Sequence, residues 1–165
     1  VKFINKPGKV LDIGSGLCVF LGELKKYGFD CYFLDPDETS FKHGIENVGV
    51  KGFKSSLKDL KTDIKFDLIT LNNVIEHSKE PLRMLEKAKN LLKDDGIMYI
   101  EVPFAKIFTK LNNQSGFDIA HYYIFTDKSI KFLLDKANLK VLNSGITDIA
   151  NIYTFYAFLK KKRVM

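Results

Sequence analysis

The chain has 165 residues, 45% of them hydrophobic and 28% charged, which suits one soluble domain over residues 1–165 with a continuous core. No apolar run reaches the roughly 18–20 residues that span a bilayer, and no signal peptide opens the chain, so no membrane partner is expected. The formal net charge is +6, but the lysines are scattered and only Lys160-Lys161-Lys162-Arg163 forms a block, which gives no nucleic-acid signature.

The pattern alternates strand and helix. Val10–Ile13 reads as a first strand and Val19–Tyr27 as a helix with Phe20, Leu21 and Leu24 inward, stopped by Gly28. Cys31–Leu34 is a second strand ending at Asp35-Pro36. Thr39 or Ser40 caps a helix running to about Asn47, with His43 on its solvated face. Val50–Phe53 is a short third strand and Phe66–Leu71 a fourth, of the near-continuous apolar kind that parallel sheets bury. Glu80–Leu92 is a helix with Pro81 in its first turn and Leu82, Leu85, Ala88, Leu91 and Leu92 at helical spacing. Asp94-Asp95-Gly96 turns it into a fifth strand, Ile97–Val102.

Residues 103–125 lose the periodicity and suit a functional loop or lid. Thr126 or Asp127 then caps a helix to Lys136. Leu139–Gly145 and Ile152–Leu159 are two last strands, close enough in sequence to form an antiparallel pair. The fold class is α/β: a Rossmann-like doubly wound sheet, mostly parallel, with one antiparallel strand near the C-terminus. Cys18 and Cys31 fit inert core thiols in a reducing compartment, and a cytoplasmic location is expected.

Gly14-Ser15-Gly16 breaks the first strand before the first helix, where glycines let the backbone turn sharply and approach a ligand. The third glycine of the dinucleotide fingerprint is replaced by Val19, whose branched side chain argues against close helix–strand approach and so against NAD or FAD. Asp35, 19 residues after Gly16, can accept ribose hydroxyls. Asp12, at the edge of the turn, would repel a phosphate and suit a cationic ligand end. Alternatively, it hydrogen-bonds the loop amides.

The segments Val10–Gly16, Asp35, Phe66–His77 and Leu91–Ile100 together resemble the successive motifs of class I S-adenosylmethionine-dependent methyltransferases. The likeness is to the subgroup with Leu/Ile-Glu-His after the fourth strand and covers about residues 9–145. It implies S-adenosylmethionine as cofactor. Gly14 and Gly16 would lie under its methionine part, with Asp12 reaching the amino group. Asp35 would bind the ribose, with Pro36 beside the adenine. Ser56 and Leu57 fall around the adenine amino group, where Asp is common in place of Ser56. Leu71 and Asn72 would line the sulfonium side. Cys18 replaces the small third residue of the family's glycine loop.

Methyl transfer from a sulfonium rests on holding nucleophile and methyl at reacting distance, and a base is needed only where the acceptor must lose a proton. Glu76, His77 and His121 are the candidate catalytic residues. Their structural alternatives are that Glu76-His77 orients the following helix and that His121 packs among Tyr122, Tyr123 and Phe125. Relatives that hold a divalent metal use Glu-x-x-Glu-His with a later histidine. Here Asn73 replaces the first carboxylate, and no metal is expected. The amino-base signature of Asn or Asp followed by Pro-Pro-aromatic is absent, which argues against methylation of DNA-base amines.

The reading is methyl transfer to a small-molecule acceptor at oxygen, nitrogen or carbon. A non-catalytic cofactor-binding or scaffold domain of a larger protein is the alternative, since almost nothing precedes the first strand. An NAD-type oxidoreductase is a third reading, opposed by Val19.

Overall fold

A computed structural model describes residues 7–105, 120–149 and 152–162. The apolar runs become strands and the amphipathic stretches helices, alternating except at β3–β4 and β6–β7: β1 (Lys9–Ile13), α1 (Val19–Lys26), β2 (Asp30–Leu34), α2 (Glu38–His43), β3 (Lys51–Phe53), β4 (Phe66–Asn72), α3 (Pro81–Leu91), β5 (Leu92–Pro103), α4 (Asp127–Lys136), β6 (Leu139–Ile149) and β7 (Ile152–Lys161). The sheet order is β3-β2-β1-β4-β5-β7-β6. Strands β1 to β5 pair in parallel, and β7 runs antiparallel to both β5 and β6. The expected doubly wound sheet with one reversed strand is therefore what forms.

Side-chain alternation along the strands divides the core into two layers. Leu11, Ile13, Ile69, Leu71 and Ile100 face α3 and α4 with Leu85, Ala88, Ile130 and Leu134. Val10, Leu68, Ile97 and Phe33 face α1 with Leu21 and Leu24. No helix among the described residues is long and apolar enough to cross a membrane.

Several local expectations need correction. Asp37, not Thr39 or Ser40, caps α2: its carboxylate accepts from the Ser40 amide at 2.8 Å, and an anion suits a helix start. The helix then loosens into a π turn, Gly44–Val48, closed by Gly49 at φ 68°. His43 is half-buried rather than solvated, and its Nδ1 has no hydrogen-bond partner among the described residues. Phe20 is 40% exposed, so Leu21 and Leu24 alone form the buried face of α1.

On α3 the buried positions are Leu85 and Ala88. Leu82 turns outward, and Leu92 already belongs to β5. Asp94-Asp95-Gly96 does not end a helix but sits within β5, where the pairing with β4 shifts register. The β6–β7 hairpin is tight, since Ile146–Ile149, beyond the expected end of the strand at Gly145, pair with Ile152–Phe155. Thr126 is the cap of α4, in a reciprocal box with Ser129. Of the expected lid, residues 106–119 lie outside the described residues.

Candidate functional site

The carboxyl ends of β1, β2 and β4 meet where the sheet order reverses direction, which is where doubly wound sheets bind ligands. The loop leaving β1 alternates left-handed residues: Gly14 at φ 67°, Gly16 at φ 51° and Cys18 at φ 56°. A Cβ on Gly14 would also stand 2.7 Å from Val74 Cγ2, whereas one on Gly16 would meet open space. Gly14 thus lets the loop close onto the segment after β4, and Gly16 leaves its ligand side clear.

Cys18 takes the same left-handed conformation at a cost of about 1–2 kcal/mol for a residue with a Cβ. Its amide bonds Ser15 O at 3.0 Å, and its buried thiol lies 3.3 Å from Ser15 Oγ. Burial pushes the Cys18 thiol up from its ordinary range and that of Cys31 up to about 11, so both are unreactive core groups. Val19 is 77% exposed and does not stand between helix and strand. The steric argument from Val19 against a dinucleotide therefore fails on geometry.

Asp12 and Thr70 are register partners on β1 and β4. The Thr70 hydroxyl donates to Asp12 Oδ1 at 2.5 Å, and Asn72 Nδ2 approaches the same oxygen at 3.5 Å. Asp12 is 4% exposed. Burial, opposed by the Thr70 bond and reinforced by the charge of Asp35, raises its pKa from 3.8 to about 6. Among the described residues its hydrogen-bond partners are thus strand side chains rather than the loop amides. A buried carboxylate held against its own desolvation suits an incoming cation.

Asp35 ties the same loop down. Its Oδ2 accepts from the Gly16 amide at 3.0 Å and its Oδ1 from the Asp37 amide at 2.9 Å. Each oxygen keeps a lone pair for a ligand hydroxyl. Pro36 is exposed beside it. Past β3, the Ser56 hydroxyl donates to Asp59 Oδ2 at 2.6 Å, and Leu57 is buried. Asp59, which the sequence reading left out, thus sits against Ser56, and the Ser-x-x-Asp spacing was its signal. Thr70 was missed as well; its even spacing from Asn72 puts both on the Asp12 face. Leu71 does not open to the site, because its side chain is fully buried in the core beneath α3 and α4.

The turn after β4 supplies a second group of residues. Glu76 is completely buried, and among the described residues neither of its carboxylate oxygens has a hydrogen-bond partner. Burial raises its pKa, partly offset by His77 and His121. The two imidazoles stand edge-on with centroids 4.7 Å apart. His77 Nε2 lies 3.9 Å from Glu76 Oε1, and His77 Nδ1 lies 3.0 Å from Ala120 O. A carbonyl only accepts, so Nδ1 carries a proton, and in the neutral ring Nε2 keeps its lone pair.

All three predicted residues are therefore brought together, from segments 44 residues apart. Glu76, His77 and His121 each offer one ligand atom within 4.8 Å of the others. Donors bound at about 2.0–2.2 Å around one ion lie roughly 3 Å apart, so this spacing would have to contract to hold a metal. Asn73, in place of a second carboxylate, is exposed at φ 52°.

Residues 1–144 match the family profile described as "Methyltransferase domain". Among curated relatives, the ubiquinone biosynthesis O-methyltransferase of Haemophilus ducreyi is 29% identical over 103 residues, which is 56% of this chain and 44% of that protein. The enzyme of the same name from Actinobacillus pleuropneumoniae serotype 5b is 29% identical over 102 residues, covering 55% and 44%. The matched stretch spans less than half the length of these relatives.

Among solved structures, the 1,6-didemethyltoxoflavin-N1-methyltransferase of Burkholderia thailandensis, with bound S-adenosylhomocysteine, superposes with TM-score 0.78 at 19% identity over 96% of this chain and 72% of its own. The magnesium protoporphyrin IX methyltransferase of Synechocystis PCC 6803 with bound SAH gives 0.78 at 18% over 96% and 76%. These two likenesses establish the fold, and the profile match over most of the length establishes the kinship. The chain belongs to the methyltransferase-domain family.

Proposed function

We propose that the chain transfers the methyl group of S-adenosylmethionine to a hydroxyl of a small-molecule acceptor. The observation that carries the reading is the Gly16–Asp35 hydrogen bond. It sets a ligand-facing glycine loop and a ribose-competent carboxylate side by side at the switch point of the sheet. Asp12, buried and costly to ionise, takes the cofactor's ammonium, while Gly14 and Gly16 hold the methionine backbone. Asp35 accepts the ribose hydroxyls, Pro36, Ser56 and Leu57 border the adenine, and Asn72 with the main chain of Leu71 closes the sulfonium side. S-adenosylhomocysteine in the Burkholderia structure supports the cofactor.

A hydroxyl acceptor must lose its proton as the methyl arrives. His77 Nε2 takes that proton, with Glu76 and His121 stabilising the imidazolium that results. The O-methyltransferase names of the curated relatives favour oxygen over nitrogen or carbon. The reaction takes place in the cytoplasm and needs no metal, because Asn73 leaves the cluster one carboxylate short.

Calorimetry with S-adenosylmethionine and S-adenosylhomocysteine tests the cofactor. Micromolar binding is expected, and no heat at millimolar ligand from a folded sample would remove the proposal. Tight product binding with no methyl transfer across a hydroxyl-acceptor panel would reassign the chain as a non-catalytic binding domain.

A further inference from the structure

Cations that are scattered in sequence converge next to the turn that carries His77. Lys58, Lys79, Arg83 and Lys87 line one cavity of about 150 Å³, over an apolar floor that includes Leu57 and Met84. Arg83, Met84 and Lys87 lie on one side of α3, at helical i, i+1 and i+4 spacing from Arg83. Lys58 faces them from the segment after β3.

The charges in this cavity are poorly neutralised. Glu80 is the one lining carboxylate, and Arg83 Nη1 meets it only at 3.4 Å. Lys87 Nζ donates to the Lys58 carbonyl at 2.6 Å, and Lys79 Nζ lies 5.5 Å above the Tyr122 ring. Lys58 forms no ion pair among the described residues. Gathering four cations against one anion in a shared depression costs energy and raises the local potential for a negative guest.

The cavity shares its frame with the candidate catalytic group. Ser78, on its lining, follows His77 directly. Tyr122, which carries Lys79 on its ring, follows His121, and the Tyr122 amide donates to Glu76 O at 2.9 Å. A ligand anchored among the cations would therefore extend along the 78–80 segment toward His77.

We propose that this cavity binds a phosphate monoester carried by the methyl acceptor, so that the substrate is a phosphorylated hydroxy compound. The phosphate sits among Lys58, Lys79, Arg83 and Lys87, the carbon skeleton that bears it lies against Met84, and its free hydroxyl faces His77. A phosphate monoester carries about −1.5 to −2 at neutral pH, which matches this surplus of cations better than a single carboxylate. This inference rests on the methyl-transfer reading for the acceptor, while the anion site itself can be tested independently.

Inorganic phosphate titrated into the chain, followed by amide chemical shifts, reads the site directly. Saturable shifts confined to Lys58 and Ser78–Lys87 are expected at millimolar phosphate, weakened at least tenfold in the double variant Arg83→Gln/Lys87→Gln. Both substitutions lie on exposed or half-exposed helix positions, and the melting temperature checks that the variant folds. Phosphate binding that is absent, or equal in the variant, would overturn the proposal.

A panel of hydroxyl acceptors bearing a phosphate, a carboxylate or neither then reads the assignment. The phosphate ester should show a KM at least tenfold below its neutral parent, rising with ionic strength. In the variant that advantage should vanish, with kcat preserved. A carboxylate preferred over phosphate, or equal KM values across the panel, would overturn it. A chain that binds S-adenosylhomocysteine but not phosphate rejects this cavity alone, whereas one that binds phosphate but not S-adenosylhomocysteine rejects the methyl-transfer reading and this assignment with it.

Discussion

The Thr70 hydroxyl donates to Asp12 Oδ1 at 2.5 Å across neighbouring strands, inside a site that leaves Asp12 only 4% exposed. That single bond does not offset the desolvation, and the carboxyl stays raised to about 6. The folded chain thus binds a proton between about pH 4 and 6 that the unfolded chain releases. The stability linked to that proton is fully present below the ordinary carboxyl pKa and is lost as pH rises through about 6. At about 1.36 kcal/mol per unit, ionised Asp12 costs the ligand-free fold on the order of 3 kcal/mol. Asp12→Asn should therefore raise the melting temperature at pH 8 and flatten its decline between pH 4 and 7 in thermal scans.

The same carboxylate should make cofactor binding depend on pH in the opposite direction. Calorimetry with S-adenosylhomocysteine should show affinity falling at least tenfold from pH 7.5 to 5, as Asp12 takes a proton and loses its attraction for the ligand ammonium. Asp12→Asn should bind weakly at both pH values.

Asp35 is expected to be stabilising and functional at once. Asp35→Ala frees the Gly16 and Asp37 amides and should lower stability by about 1–3 kcal/mol in urea titrations. It should also weaken S-adenosylhomocysteine by more than tenfold. Asp35→Asn keeps one acceptor oxygen and should lose affinity with a smaller loss of stability.

His77→Ala should reduce kcat for hydroxyl acceptors by about 10²–10⁴, the usual contribution of a positioned base, with cofactor affinity unchanged. His121→Gln should cost less, since it removes a neighbour of the proposed base and not that base itself. Single-turnover methyl transfer across a pH series separates the two: His77→Ala flattens the profile and His121→Gln displaces it.

Activity should survive prolonged treatment with EDTA. Asn73 supplies no carboxylate, and His77 has committed one ring nitrogen to Ala120 O. Loss of activity on chelation, restored by a divalent cation, would contradict this.

The ring of Phe33 is hemmed in by two glycines. A Cβ on Gly44 would stand 2.6 Å from it and 2.9 Å from Cys18 Sγ, and one on Gly52 would stand 2.3 Å away. Gly44→Ala should cost about 1–3 kcal/mol through overpacking, measured by chemical denaturation. Because Cys18 begins α1, cofactor affinity should fall with it.

The sheet was legible because parallel strands buried on both faces leave near-continuous apolar runs such as Phe66–Leu71, which few other elements imitate. The glycine loop and Asp35 were legible because backbone geometry restricts what can occupy them. What sequence concealed was contact between distant segments. Thr70 reads as an ordinary strand threonine until β1 lies against β4. Lys58 and Lys87 read as solvated surface until the segment after β3 meets α3. Val19 and Phe20 misled because the helix start turns them outward, which depends on the Cys18 conformation and not on hydrophobic spacing. His43 misled for a similar reason, as the π turn after α2 breaks the 3.6-residue period.

The pairing of His77 with His121 is written largely in the main chain. Ala120 offers its carbonyl to His77, Tyr122 lends its amide to Glu76, and Ala105 donates to Phe125 O. The exposed side chains of Tyr122 and Tyr123 can therefore be exchanged without resetting the two rings. A lineage could retune which acceptor is accepted while the proton-handling geometry is inherited intact.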